Sequence, residues 1–164
     1  KGVYEVALAE WVPLAEQGDI DSQNTLAAIF KLGLGVKKNP EKAVKWYRLA
    51  AEQGDAAGQY GLGTMYAAGE GVPQDYKTAV KWYTLADEQG YARAQYNLGQ
   101  MYYNGQGVPQ DYVYAHMWGN IAASNGDEDG GKLRDLFAEE MTATQIEKAQ
   151  ELARECVRKE YKGC

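Results

Sequence analysis

The sequence predicts an all-α fold in which antiparallel helix pairs stack into a solenoid closed by a C-terminal capping helix. Three observations carry this. Gly18, Gly54, Gly90 and Gly126 recur every 36 residues, a period typical of stacked repeats. Residues 55–90 and 91–126 agree at 18 of 36 positions, and 19–54 and 55–90 at 16 of 36. Within each unit apolar residues return at helical spacing, and no segment alternates as a strand does.

Composition fits a thin, repeated core. Leu, Ile, Val and Phe make only 28 of 164 residues, whereas Ala occurs 23 times, Gly 19, Tyr 13 and Trp 4. A chain this poor in aliphatics would read as disordered, but disordered chains are also poor in aromatics. Small residues and rings must therefore do the packing. The net charge of -6 argues against a phosphate-binding surface, so no nucleic-acid partner is expected. The basic run from Arg154 to Lys162 is interrupted by Glu155 and Glu160 and reads as a solvated helix face. No apolar stretch is long enough to span a membrane.

In chain order, residues 1–18 look like the second helix of an incomplete unit, because Ala15-Glu16-Gln17-Gly18 echoes Ala51-Glu52-Gln53-Gly54. Full units follow at 19–54, 55–90 and 91–126, and 127–164 reads as a terminal cap. These segments together are expected to form a single domain of eight or nine helices. A first helix is expected from Ala56 to Ala68, with Leu62, Met65 and Tyr66 on one face; its counterparts carry Leu26, Ile29 and Phe30, and Leu98, Met101 and Tyr102. The second helix opens after Asp75, or after Asn39 followed by Pro40, as helix starts favour. Ala79, Trp82, Tyr83, Leu85 and Ala86 are expected as its buried stripe, and Gly90 as its left-handed stop. Gly63 and Gly99 sit where two backbones would approach closely, and Trp82 and Trp118 would fill the space between helices. In the cap, Thr142 and Gln145 read as a capping box, with Ile146, Ala149, Ala153, Cys156 and Val157 on the buried face of the helix that follows.

The pattern Leu62-Gly63-x-x-Tyr66, Gly69-x-Gly71-Val72-Pro73-x-Asp75, Ala79-x-x-Trp82-Tyr83-x-x-Ala86-x-x-Gln89-Gly90 resembles the Sel-one-like repeat, a relative of the tetratricopeptide repeats. The resemblance covers residues 7–126 and implies a right-handed α-α superhelix. The last unit departs from it, with Gly119 at the Tyr83 position and His116 at the Val80 position, which suggests a boundary repeat packed on the cap.

Chemistry-bearing residues are sparse. The pairs Gly33/Gly35, Gly69/Gly71 and Gly105/Gly107 lie between helices in every unit and read as turns, since a dinucleotide loop follows a strand. His116, the one histidine, has no recognisable nucleophile partner and reads as structural. Asp55, Asp75 and Asp111 sit at cap positions. Glu139 and Glu140 are adjacent and point apart on a helix. No metal site, cofactor or catalytic residue is expected. Cys156 and Cys164 would be about 12 Å apart on a continuous helix, too far to bond, but Gly163 permits a reversal. They are either a small disulfide loop, implying an oxidising compartment, or free thiols with Cys156 in the core. The first alternative supports a periplasmic or secreted location, the second a cytoplasmic one. The chain begins at Lys1 without Met, so further residues, with another helix, are expected upstream.

The resemblance implies a non-enzymatic adaptor, as in bacterial envelope, signalling or host-interaction complexes, that holds a peptide or protein segment against the concave face lined by the first helices. By the tetratricopeptide analogy the binding stripe holds Tyr60, Thr64 and Ala67 in one unit. The unit before contributes Asn24, Ala28 and Lys31, and the unit after Tyr96, Gln100 and Tyr103. Tyrosine suits an interface because it offers area, a hydroxyl and few rotors; Tyr60 and Tyr96 could equally pack between units. A monomer is expected. A cysteine-rich branch of the family has been linked to β-lactam binding and weak hydrolysis, but this chain lacks that branch's one disulfide per repeat.

Overall fold

Caps and left-handed glycines set where each helix starts and stops. The computed structural model describes residues 2–164, with side chains from Val6 onward except that of Ala7. The described residues form nine helices and no strand. These are α1 Gly2–Glu16, α2 Ile20–Leu32, α3 Pro40–Glu52, α4 Ala56–Ala68, α5 Tyr76–Asp87, α6 Ala92–Asn104, α7 Tyr112–Ser124, α8 Gly130–Ala138 and α9 Ala143–Arg158. The all-α expectation holds, and the limits expected for α4 are the observed ones.

Side chains close the helix starts by accepting backbone N–H groups that have no partner inside the helix. Asp19 accepts from Ser22, Asn39 from Lys42, and Asp55 from Gly58, at 2.7–2.8 Å. Thr142 and Gln145 form the expected reciprocal box at the start of α9. Gly33, Gly69 and Gly105 end α2, α4 and α6 in the left-handed region. The second glycine of each loop has a different task. A Cβ on Gly71 would lie 2.5 Å from the carbonyl oxygen of Pro40, and one on Gly107 equally close to that of Tyr76. The loop thus folds over the start of the second helix one repeat earlier, and only glycine admits that approach.

Two units, Lys1–Asp75 and Tyr76–Cys164, are each compact. In the first, α1 packs on α2, α2 on α3 and α3 on α4. Ala15, Leu26, Ala27 and Trp46 form its core, with Trp11, Phe30 and Tyr47 against them. In the second, α6 packs on α5 and α7, and α7 also carries α8 and α9. Ala115, Leu133 and Phe137 are central there, flanked by Tyr96, Tyr102 and Tyr103. Leu62, Met65, Leu98 and Met101 are buried as expected.

Two expected core residues are not core. Leu85 is 42% exposed and Val157 46%. At 100° per residue Leu85 falls outside the arc that buries Ala79, Tyr83 and Ala86. Val157 lies at the rim of a cleft against Ile121 instead of under it. Trp118 is buried, Trp82 only half so. Gly99 does meet a neighbouring backbone: its Cβ would stand 3.2 Å from the carbonyl oxygen of Ala115.

Helix α8 lies within the stretch read as cap, yet it starts as a first helix does. Gly130 stands two periods after Gly58. A Cβ on Gly58 would meet Ala50 Cβ at 2.6 Å, and one on Gly130 would meet Ala122 Cβ at 3.0 Å. Asp127 accepts the Gly130 N–H as Asp55 accepts that of Gly58. One turn on, the roles reverse. In the first unit the ring of Tyr47 lies where a Cβ of Gly61 would be, at 2.5 Å. Two periods later the glycine is Gly119, on the second helix, and its Cβ would stand 3.0 Å from the backbone N of Arg134. The substitution of Gly119 for tyrosine therefore seats the closing helix, as its departure from the repeat pattern suggested.

Candidate protein-binding surface

Helices α2 and α4 in the first unit, and α6 in the second, carry the expected stripes, with tyrosines on α4 and α6. In the first unit Asn24 Nδ2 donates to Asp55 Oδ2 at 2.7 Å, and Lys31 Nζ donates to Thr64 Oγ1 at 3.2 Å. Thr64 in turn donates to the carbonyl of Gly61 at 2.7 Å. Asn24 is thus tied to the cap of α4 and Lys31 to Thr64 within it, with Tyr60 one turn before Thr64 and half-buried. Asn24 Oδ1 is buried without a hydrogen-bond partner among the described residues, leaving an unmet acceptor on this stripe.

In the second unit Gln100 Nε2 donates to the Tyr96 hydroxyl at 3.0 Å. Tyr96 lies toward the start of α8. Burial first, then Asp129 and Asp127, raises its pKa above the ordinary tyrosine value. Tyr103 is placed differently from its neighbours. Its ring stacks on Phe137 with centroids 4.4 Å apart and tilts against Tyr112 at 5.4 Å. Phe137 is 1% exposed, so much of the Tyr103 ring is spent on packing α8 rather than offered to a ligand.

A polar network escaped the sequence reading. Gln23, Gln59 and Gln95 recur at the 36-residue period and are all buried. Gln23 donates to the backbone carbonyl of Ala15 at 3.0 Å and accepts from Gln53 at 2.9 Å. Gln95 occupies the same place but donates to the carboxylate of Asp87 at 2.8 Å, and accepts from Asn125 at 2.9 Å. Asp87 stands where the other units have Ala15, Ala51 and Ala123. Burial is the main reason its pKa is pushed up to about 7, against the opposing effect of the Gln95 bond. The signal in the sequence was that break in an alanine position.

The C-terminal loop closes over this network. Cys156 and Cys164 are disulfide-bonded, with Cα atoms 5.4 Å apart. Between them the chain turns through Glu160 and Tyr161, both at positive φ. Tyr161 lies against Gly90, where a Cβ would stand 3.2 Å from the ring. His116 is buried beside Arg134, and burial followed by that guanidinium lowers its pKa below the ordinary histidine value. Among the described residues no group of acids, histidines and cysteines could hold a metal ion, and no helix is long and apolar enough to cross a membrane.

The Sel1 repeat model matches residues 20–55, 56–91 and 92–127. Solved structures similar to this chain include two Sel1-type repeat proteins. One is c5321, a protective antigen present in uropathogenic Escherichia coli strains and displaying an SLR fold, at 31% identity and a TM-score of 0.71. That match covers 94% of this chain but 42% of the antigen, so the chain spans less than half its length. The other is a Sel1 repeat protein from Oxalobacter formigenes, at 39% identity and a TM-score of 0.68, covering 79% of this chain and 97% of that one. Among curated proteins no match was found.

Proposed function

We propose that this chain, which belongs to the Sel1 repeat family, is a non-enzymatic adaptor that holds a peptide or protein segment against the stripes on its first helices. Sel1 repeats generally mediate protein interactions. The stripe of the first unit offers Asn24, Lys31, Tyr60 and Thr64; that of the second offers Tyr96 and Gln100, with Tyr103 contributing its edge. The observation that carries this is the pair of bonds from α2 to α4 and its cap, Asn24 to Asp55 and Lys31 to Thr64, beside a half-buried tyrosine. It places hydrogen-bonding groups next to amphipathic area, the combination that protein interfaces favour. The disulfide supports an oxidising compartment, periplasmic or secreted.

The test is capture of a bound segment by the chain and by its triple variant Tyr60→Ala, Tyr96→Ala, Tyr103→Ala. Loss of capture with the helical content intact supports the reading, and unchanged capture refutes it.

A further inference from the structure

Two adjoining hollows open in the second unit where α9 and α8 meet α7. One, of about 440 Å³, is lined by His116, Asn120, Arg134, Asp135, Gln150 and Arg154. The other, of about 580 Å³, is lined by Ile121, Ala153 and Val157 and by the charged Glu151 and Arg158. Asn120 and Arg154 line both. Each volume is in the range of small-molecule sites.

The polar hollow holds unspent groups. His116 is 2% exposed, and its Nδ1 is buried with no hydrogen-bond partner among the described residues. Such an orphan is costly unless something fills it. The exposed side chain of Arg154 makes no ion pair or hydrogen bond among the described residues. Arg134 is committed to Asp135 at 2.7 Å, and its reach to Asn120 Oδ1 is long at 3.5 Å. Asp135 also lines the hollow; its Oδ1 is taken by Arg134, and its side chain is 68% exposed. A chain of net charge -6 has thus brought two guanidinium groups to one hollow against a single carboxylate, that of Asp135, an excess of positive charge suited to a second carboxylate. The apolar hollow offers Ile121, Ala153 and the exposed Val157, with no aromatic ring to stack on. Branched and small side chains of this kind suit a flexible alkyl chain.

We propose that this cleft binds a small aliphatic carboxylate, its headgroup held between Arg134 and Arg154 beside His116 and its chain lying along Ile121, Ala153 and Val157. None of its lining residues belongs to the stripes on α4 and α6.

The test uses the whole chain and three probes: octanoate, its uncharged counterpart octanamide, and acetate. Calorimetric titration is paired with NMR of the single histidine. Octanoate is expected to saturate and to shift the His116 ring signals, with octanamide and acetate each at least tenfold weaker. Arg154→Gln should weaken octanoate at least tenfold, whereas Arg93→Gln, on the exposed part of α6, should leave it within twofold. Absence of saturable binding, equal affinity for octanamide, or full affinity in Arg154→Gln overturns the proposal. So does a peptide ending in a free C-terminal valine that displaces octanoate and binds more tightly, because the cleft would then belong to protein C-termini.

Discussion

The hydroxyl of Tyr161 donates to Oδ1 of Asn125 at 2.9 Å. Asn125 passes the contact to Gln95, and Gln95 to the buried carboxylate of Asp87. A loop closed by a disulfide at the chain's end is thereby tied to the interior of the second unit.

Breaking that tie should cost stability in a non-additive way. On the chain-entropy model the short disulfide loop contributes at most about 2–3 kcal/mol. Tyr161→Phe removes one hydrogen bond, worth about 1 kcal/mol. Once the disulfide is reduced, Tyr161 is no longer held, so the phenylalanine variant should then cost close to nothing. Urea unfolding of both proteins, with and without reductant, measures the coupling. Equal costs in the two states would show that the loop does not position Tyr161.

Asp87 should make the fold less stable as pH rises. Its pKa is raised from 3.8 to about 7 in the folded chain. The unfolded carboxyl loses its proton near pH 4, whereas the folded one keeps it to about pH 7. Stability from this group is therefore complete below pH 4 and lost as pH rises toward 7, about 4 kcal/mol in all. Asp87→Asn keeps an acceptor for Gln95 and should abolish that slope. Denaturation midpoints at pH 5 and pH 8 should converge in the variant and differ in the parent.

Two glycines, Gly119 on α7 facing α8 and Gly131 within α8, should respond oppositely to alanine. A Cβ on Gly119 would stand 3.0 Å from the Arg134 backbone, so Gly119→Ala should destabilise by about 1–3 kcal/mol. A Cβ on Gly131 would meet only Ala123 Cβ, at 4.0 Å, so Gly131→Ala should stabilise by roughly 0.5–1 kcal/mol. Thermal melts of the two variants decide it.

Chromogenic β-lactams should not be turned over. Both cysteines are bonded to each other, and the one histidine is buried beside Arg134. Hydrolysis that persisted through repurification would bring back the enzymatic reading.

Much of the fold is legible because the period repeats the same local solutions. Asp55, Asn39 and Thr142 cap where capping chemistry puts them, and Gly69 and Gly105 stop helices where a left-handed residue is needed. The reasons for other residues depend on tertiary partners. Gly61 looks like a poor helix residue until the Tyr47 ring is seen against it. Val157 fits the apolar pattern of α9, but nothing in its spacing says that α7 leaves it at a cleft rim. Tyr96 and Tyr103 share one stripe, yet only the position of Phe137 shows that Tyr103 is partly consumed by packing. The Gln95–Asp87 pair is visible as a break in a repeat, but its burial is not.

The most direct measurement of the binding account begins with a peptide selected against the whole chain from a random library. Its affinity is then measured for the paired variant Tyr60→Ala, Tyr96→Ala and for Glu41→Ala, Lys81→Ala, which alters exposed positions on α3 and α5. The account predicts at least a tenfold loss for the tyrosine pair, about 1.4 kcal/mol or more, and less than a twofold change for the other. Full affinity in the tyrosine pair, with the loss appearing in the Glu41, Lys81 variant, would contradict it.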